Sequence, residues 1–232
     1  MQAPPAILRP AICVAALLWP AVVAAQVGGS ILAETDYRYR GVSLSGEDPT
    51  LHLSLSYDHP AGWYAGASLA AVELVPGFRR AATTGYAGYV QRSAAGWAWE
   101  AGATVSHFSG FSGYDYGEAF AGVIGERWSA RLYFSPDYFG RNARTLYGEV
   151  NGGVPISPMF RAFVHLGVLS RLSGTAPEGV EEVRYDVRAG IGARMGGSDL
   201  RLAWVAGGPG EPYVAAYRQR RSTAVLSYSF DF

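Results

Sequence analysis

Charged groups in this sequence recur at alternate positions rather than in clusters. Glu34, Asp36, Arg38 and Arg40 stand two apart, as do Arg184, Asp186 and Arg188; Glu100, Glu118, Arg131, Glu149, Arg161 and Arg201 follow on other segments. In an extended chain, side chains two apart share one face, so such a set lines a surface with fixed charge. Inside a barrel, that surface would select permeants by sign and size. Arg38, Arg40, Arg131, Arg161 and Arg188 would then meet the permeant, with Asp36, Glu100, Glu118 and Glu149 as counter-charges. The same inventory fits a lumen sealed by pairing, because buried charge must be paired or wet. Other chemistry is thinly provided. His107-Phe108-Ser109-Gly110 sets a base beside a hydroxyl, but a triad also needs an acid in reach of the base, and none stands at an obvious spacing. His52, His59, His107 and His165 are scattered without ligand spacing, and no acidic loop has the EF-hand pattern, so no metal is expected. Gly190-Ile191-Gly192 lies in an alternating segment with no following helix, which removes the context of a dinucleotide loop. No cofactor is expected.

The elements that would position these charges are strands. In Thr223 to Phe232, Leu226, Tyr228, Phe230 and Phe232 share one face and Ser227, Ser229 and Asp231 the other. Leu51, Leu53, Leu55 and Tyr57 alternate in the same way with His52, Ser54, Ser56 and Asp58. This period of two is the signature of strands with unlike faces. It marks twelve segments, near 30–40, 49–58, 62–72, 82–92, 96–106, 114–124, 127–137, 144–154, 159–169, 183–194, 199–206 and 221–232. The phase of the fourth is ambiguous, since Tyr86 and Tyr89 fall on opposite faces. Links after even-numbered segments are short (His59-Pro60-Ala61, Gly125-Glu126). Those after odd-numbered segments are longer, with 41–48, 73–81, 170–182 and 206–220 the clearest. Short turns at one end and longer loops at the other are the pattern of a transmembrane up-and-down barrel, and the longer loops could also serve surface recognition.

Composition agrees. The chain has 232 residues, 19 basic and 19 acidic, giving no net charge. The basic excess expected of a nucleic-acid binder is lacking. Charged residues make up 16%, against about 25% in an average soluble domain. Arg9, the apolar run from Ala11 to Val23 and the small residues Val23-Ala24-Ala25 read as a secretory signal peptide over 1–25, carrying the single cysteine, Cys13, with it. Residues 26–232 then form one barrel domain. No second apolar stretch of about 18 residues occurs, so only a closed barrel could span a membrane. A soluble barrel would alternate too. Against it stand bulky charges on the polar faces and aromatics near strand ends (Trp63, Tyr64, Trp97, Trp99, Trp128, Tyr138, Phe139), where interfacial girdles belong.

The stretch Thr35-Asp36-Tyr37-Arg38-Tyr39-Arg40-Gly41-Val42-Ser43 is the most specific motif, followed by Glu47-Asp48-Pro49 and Gly62-Trp63-Tyr64-Ala65-Gly66. Tyr114-Asp115-Tyr116, Tyr133 to Gly140, Tyr185-Asp186, Gly197 to Leu200 and Ser227 to Phe230 follow in order. Together these stretches resemble the TorF porin family of proteobacteria. The resemblance implies an outer-membrane barrel and suggests transport, without naming a solute. Phe232, with Phe230 and Tyr228, also resembles the signal read by the barrel-assembly machinery, and His107-x-Ser109 is similar to a motif of lipid A deacylases. The reading as a whole is a non-enzymatic barrel in outer-membrane lipid, passing small polar solutes or ions. A non-conducting, recognition or lipid-hydrolysing barrel is the alternative.

Overall fold

The computed structural model describes residues 26–214 and 219–232; the leader expected over 1–25 lies outside them. In chain order the strands are β1 (Gln26–Glu34), β2 (Arg38–Tyr39), β3 (Val42–Ser43), β4 (Thr50–Asp58), β5 (Trp63–Val75), β6 (Phe78–Arg92) and β7 (Ala98–Phe108). They continue as β8 (Tyr116–Ile124), β9 (Trp128–Ser135), β10 (Ala143–Pro155), β11 (Phe160–Gly174), β12 (Val183–Met195), β13 (Ser198–Gly208) and β14 (Ser222–Asp231). Twelve of them, β1 and β4 to β14, form a closed antiparallel barrel; β2 and β3 form a separate hairpin. Every barrel strand pairs with its neighbour in sequence, and β1 closes the ring on β14 from Ser30↔Asp231 to Glu34↔Ser227. Two more bonds, Gly29 N–H to Phe232 O and Phe232 N–H to Gly29 O, both 2.9 Å, extend the seam. A Cβ on Gly29 would stand 2.6 Å from the Phe232 ring, so the ring lies directly over this glycine.

The polarity of the wall is inverted relative to a soluble barrel. Leu53, Leu55, Leu132, Leu166, Leu202 and Leu226 face outward and are 45–61% exposed, while Glu34, Glu100, Glu118, Asp186 and Asp199 face inward at 3–7%. Leaving that many aliphatic side chains in water is costly; a belt facing hydrocarbon removes the cost. The ambiguous phase of the fourth segment is resolved by its contacts. Tyr86 points inward, with its ring 6.2 Å from that of Tyr64. Tyr89 points outward, between Trp63 at 4.9 Å and Trp99 at 5.7 Å. These three make an aromatic patch at the short-turn end. Three other aromatics expected in a girdle are elsewhere: Tyr64 reaches Glu100 in the lumen, and Tyr138 and Phe139 are 3% and 2% exposed.

Two loop expectations change. The 73–81 segment is an extension of β5 and β6 that turns at Pro76-Gly77, with Gly77 at φ 76°. The first strand ends at Glu34 instead of 40, and the chain beyond it leaves the wall. The loop end then holds the apolar core, where Leu44, Val72, Leu74, Phe108, Tyr116, Tyr138, Phe139, Tyr147, Leu169, Tyr213 and Val214 pack together.

Inverted polarity gives the first prediction. Leu202→Arg places a cation on the outward face and is expected to lower stability in vesicles by about 2–4 kcal/mol. Ser68→Arg, on the inward face of β5, is expected to cost under about 1 kcal/mol. Urea titration of the refolded barrel measures both; equal costs would mean the faces are assigned wrongly.

Candidate functional site: an infolded hairpin in a charged lumen

The alternation of Glu34, Asp36, Arg38 and Arg40 reads as one strand, but the ladder stops where Thr35 N–H bonds Leu226 O at 3.0 Å. Residues 36–48 then turn into the barrel. Arg40 and Gly41 both have positive φ, 49° and 77°, between the paired residues Tyr39 and Val42. This is the two-residue turn whose twist suits a tight hairpin. Gly41 also has to be glycine for space, because a Cβ there would lie 2.7 Å from the Gly207 Cα on β13.

Polar bonds hold the hairpin together. Asp36 accepts from Arg38 Nε and from the Ser43 hydroxyl, both at 2.6 Å. Arg38 also donates to Glu47 at 3.1 Å and to the Arg220 carbonyl at 2.7 Å. Gln219 pairs both ways with the Ser43 backbone, at 2.7 and 2.8 Å, so the last long loop covers the hairpin.

Arg40 anchors the hairpin to the wall. Its guanidinium makes a two-point bond to Glu118 on β8, at 2.9 and 2.8 Å. It also lies over Tyr147 at 3.9 Å, Tyr39 at 4.9 Å, and Tyr133 and Tyr138 at 5.3 Å each. Planar guanidinium suits both the paired carboxylate and the ring faces, which ammonium would not. Burial pushes the Tyr138 phenol up to about 12 against the lowering effect of Arg40, and the Tyr37 phenol likewise to about 12, with Glu34 adding to it. Both phenols therefore stay neutral at physiological pH.

Of the nine lumen residues named from sequence, Asp36, Arg38 and Arg40 thus sit on the infolded segment rather than on the wall. Their alternation mimics a strand, but the wall strand had already ended. Glu100, Glu118, Arg131, Glu149, Arg161 and Arg188 sit on the inward faces of β7 to β12, one per strand. Most are paired: Arg131 with Glu100 at 2.5 Å, and Arg161 with Asp199 at 2.5 Å. Arg188 reaches the Arg38 carbonyl at 3.3 Å, and Glu149 accepts from Asn151 at 3.3 Å. Three further wall residues take part: Asp186, which alternation had already set among the lumen charges, and Asp199 and His52, which it had not. Asp186 accepts from Tyr147 at 3.0 Å and lies 2.7 Å from His165 Nε2. Asp199 binds both Arg161 and Arg201, and His52 lies 2.8 Å from Glu34. Strand parity was the signal that would have placed Asp199 and His52 inside as well.

The hairpin divides the interior. A cavity of about 870 Å³ lies on its inner side and reaches the short turn at Gly125–Trp128. A second, of about 1130 Å³, lies on the loop side beside Glu47, Arg141, Glu178 and Arg221. Among the described residues, Gly41 is the one that lines both. A small pocket of about 20 Å³ lies beside the hairpin, among Tyr39, Val42, Tyr138, Phe139, Leu169 and Tyr213.

The acid that sequence spacing did not reveal for His107 is Asp115, whose Oδ2 is 2.6 Å from Nδ1. Asp115 also accepts from the Phe108 N–H at 2.8 Å, so it ties β7 to the start of β8. Among the described residues, no hydrogen bond joins Ser109 to the other ring nitrogen, and no cluster of acids, histidines or cysteines could hold a metal ion.

These features define a closed twelve-stranded β-barrel with an apolar outer face and an internal hairpin. Residues 20–226 match the family model described as a bacterial protein of unknown function (Gcw_chp), and the chain belongs to that family. No curated protein matches it. Its fold is similar to that of the KdgM porin, at TM-score 0.56 and 12% identity over 88% of this chain and 99% of that one. NanC porin is similar at 0.55 and 10%, over 88% and 97%. The KdgM porin solved in complex with disordered oligogalacturonate is similar at 0.53 and 11%, over 90% and 99%.

The contact of Gly41 with Gly207 can be isolated. Gly77 has nearly the same φ, 76°, with no atom within 4 Å of an added Cβ. Gly77→Ala is expected to cost about 1–2 kcal/mol from φ alone, and Gly41→Ala at least about 1 kcal/mol more. Equal losses in denaturant unfolding would mean that the hairpin does not press on the wall.

Proposed function

We propose that this protein is an outer-membrane barrel giving passive passage to small polar solutes or ions through a narrow charged lumen, with the infolded hairpin as its closing element. The observation that carries the reading is the pair of polar cavities on the two sides of a hairpin held by charge pairs and hydrogen bonds. A purely structural plug would be better served by an apolar contact, since a buried ion pair gains little over well-packed apolar groups. Passage then follows movement of the hairpin from Glu118, with Arg38, Arg40, Arg131, Arg161 and Arg188 meeting the permeant and Asp36, Glu100, Glu118 and Glu149 as counter-charges. The TorF porin resemblance and the porin folds of the structural neighbours support the same reading. Export by a cleaved leader over 1–25 and recognition of Tyr228, Phe230 and Phe232 by the assembly machinery belong to it. The reading assigns no catalytic residue.

The aromatic core around the hairpin favours a second reading, a closed barrel whose loop end serves recognition. Planar-bilayer recording separates the two. Arg40→Ala alone would strand a buried carboxylate and is expected to cost about 3–5 kcal/mol. The double variant Arg40→Gln with Glu118→Gln removes both charges. The wild-type barrel is expected to give small, brief conductance steps, and the double variant longer and larger ones. A folded double variant as silent as a silent wild type would favour the closed barrel.

A further inference from the structure

The charge of the inner cavity is uneven. Seven arginines and four carboxylates line it, and the excess lies on one wall. Asp199 on β13, itself only 3% exposed, accepts from Arg161 on β11 at 3.1 and 2.5 Å and from Arg201 on β13 at 2.9 and 2.7 Å. Two guanidiniums thus share one carboxylate, and one positive charge is left over. Gly192 of β12 lies between them, and a Cβ there would stand 3.1 Å from the Arg161 Cζ. Its lack of a side chain lets the Arg161 guanidinium lie close against the wall. Arg188 and Arg194 line the same cavity from β12, and no carboxylate comes within 4 Å of either among the described residues. Four arginines on three adjacent strands therefore face two carboxylates, Asp186 and Asp199, which leaves two positive charges in excess. Glu149 on β10, the cavity carboxylate that has only Asn151 as a bonded partner, offsets one of them.

We infer that this wall is a binding site for a small solute bearing carboxylate or phosphate groups, entered from the short-turn end. The Asp199 pairing holds the Arg161 and Arg201 planes in place, and their remaining N–H donors offer the fork geometry that oxyanions accept. Arg188, which donates to the Arg38 carbonyl, and Arg194 add charge without a carboxylate partner among the described residues. The inference deepens the passage reading by giving the permeant a sign and a class, but binding itself needs only an accessible inner cavity.

The test is calorimetry on the refolded barrel at low salt, with sodium citrate, sodium phosphate and glucose as probes, alongside reversal potentials in a KCl gradient. Citrate or phosphate is expected to bind and glucose not; the stronger of the two identifies the group. Arg188→Gln with Arg194→Gln, which breaks no ion pair, is expected to weaken binding about tenfold or more. Arg161→Gln with Arg201→Gln is expected to do the same if it folds. Binding without any current would keep the anion site and overturn passage. Current with cation preference and no binding would keep passage and overturn the site. Equal binding by the Arg188/Arg194 double variant and the wild type would also overturn the site.

Discussion

The requirement that every backbone N–H and C=O be paired within a hydrocarbon layer organises this molecule. A sheet meets it only by closing, and here closure falls between β1 and β14. The seam is finished by the two backbone bonds between Gly29 and Phe232. Closing the sheet fixes which face looks outward, and the outward face in turn must be apolar. The belt of leucines, the aromatic patch of Trp63, Tyr89 and Trp99, and the charged lumen follow from that one condition.

A charged lumen sets a second problem, because carboxylates such as Glu100, Glu118 and Asp199 are nearly out of reach of solvent. The barrel meets it by pairing charges across an intervening strand, Glu100 of β7 with Arg131 of β9 and Asp199 of β13 with Arg161 of β11, and by bringing in cations from outside the wall. Glu118 is the clearest case. Its partner comes not from the wall but from Arg40 on the hairpin, 78 residues away in sequence. The loop-end core thereby has a polar hook at its centre, with tyrosines supplying the ring faces and hydroxyls around it. The hairpin is therefore specified by a few directional contacts, while the apolar residues beside it provide bulk.

The asymmetry of the inner cavity has a different origin. Pairing on β7 to β9 is one to one, Glu100 with Arg131, whereas Asp199 serves two arginines. Charge balance over the whole chain, 19 of each sign, conceals this local excess. Local field, not net charge, governs what a narrow polar space attracts.

What the sequence by itself determined is the strand set, the inward and outward face of most strands, and the ends that carry turns or loops. These are legible because facing in a strand has a period of two and is decided within a few residues. Glu100, Glu118, Arg131, Glu149, Arg161 and Arg188 were placed by that rule alone. The tertiary structure alone decided that Asp36, Arg38 and Arg40 leave the wall, since their alternation continues that of β1 without a break. It alone chose Tyr86 over Tyr89 for the lumen, gathered four tyrosines around Arg40, and gave His107 its acid in Asp115. Each of these depends on residues brought together by closure of the ring or by loops folding back, and no local spacing records such a meeting.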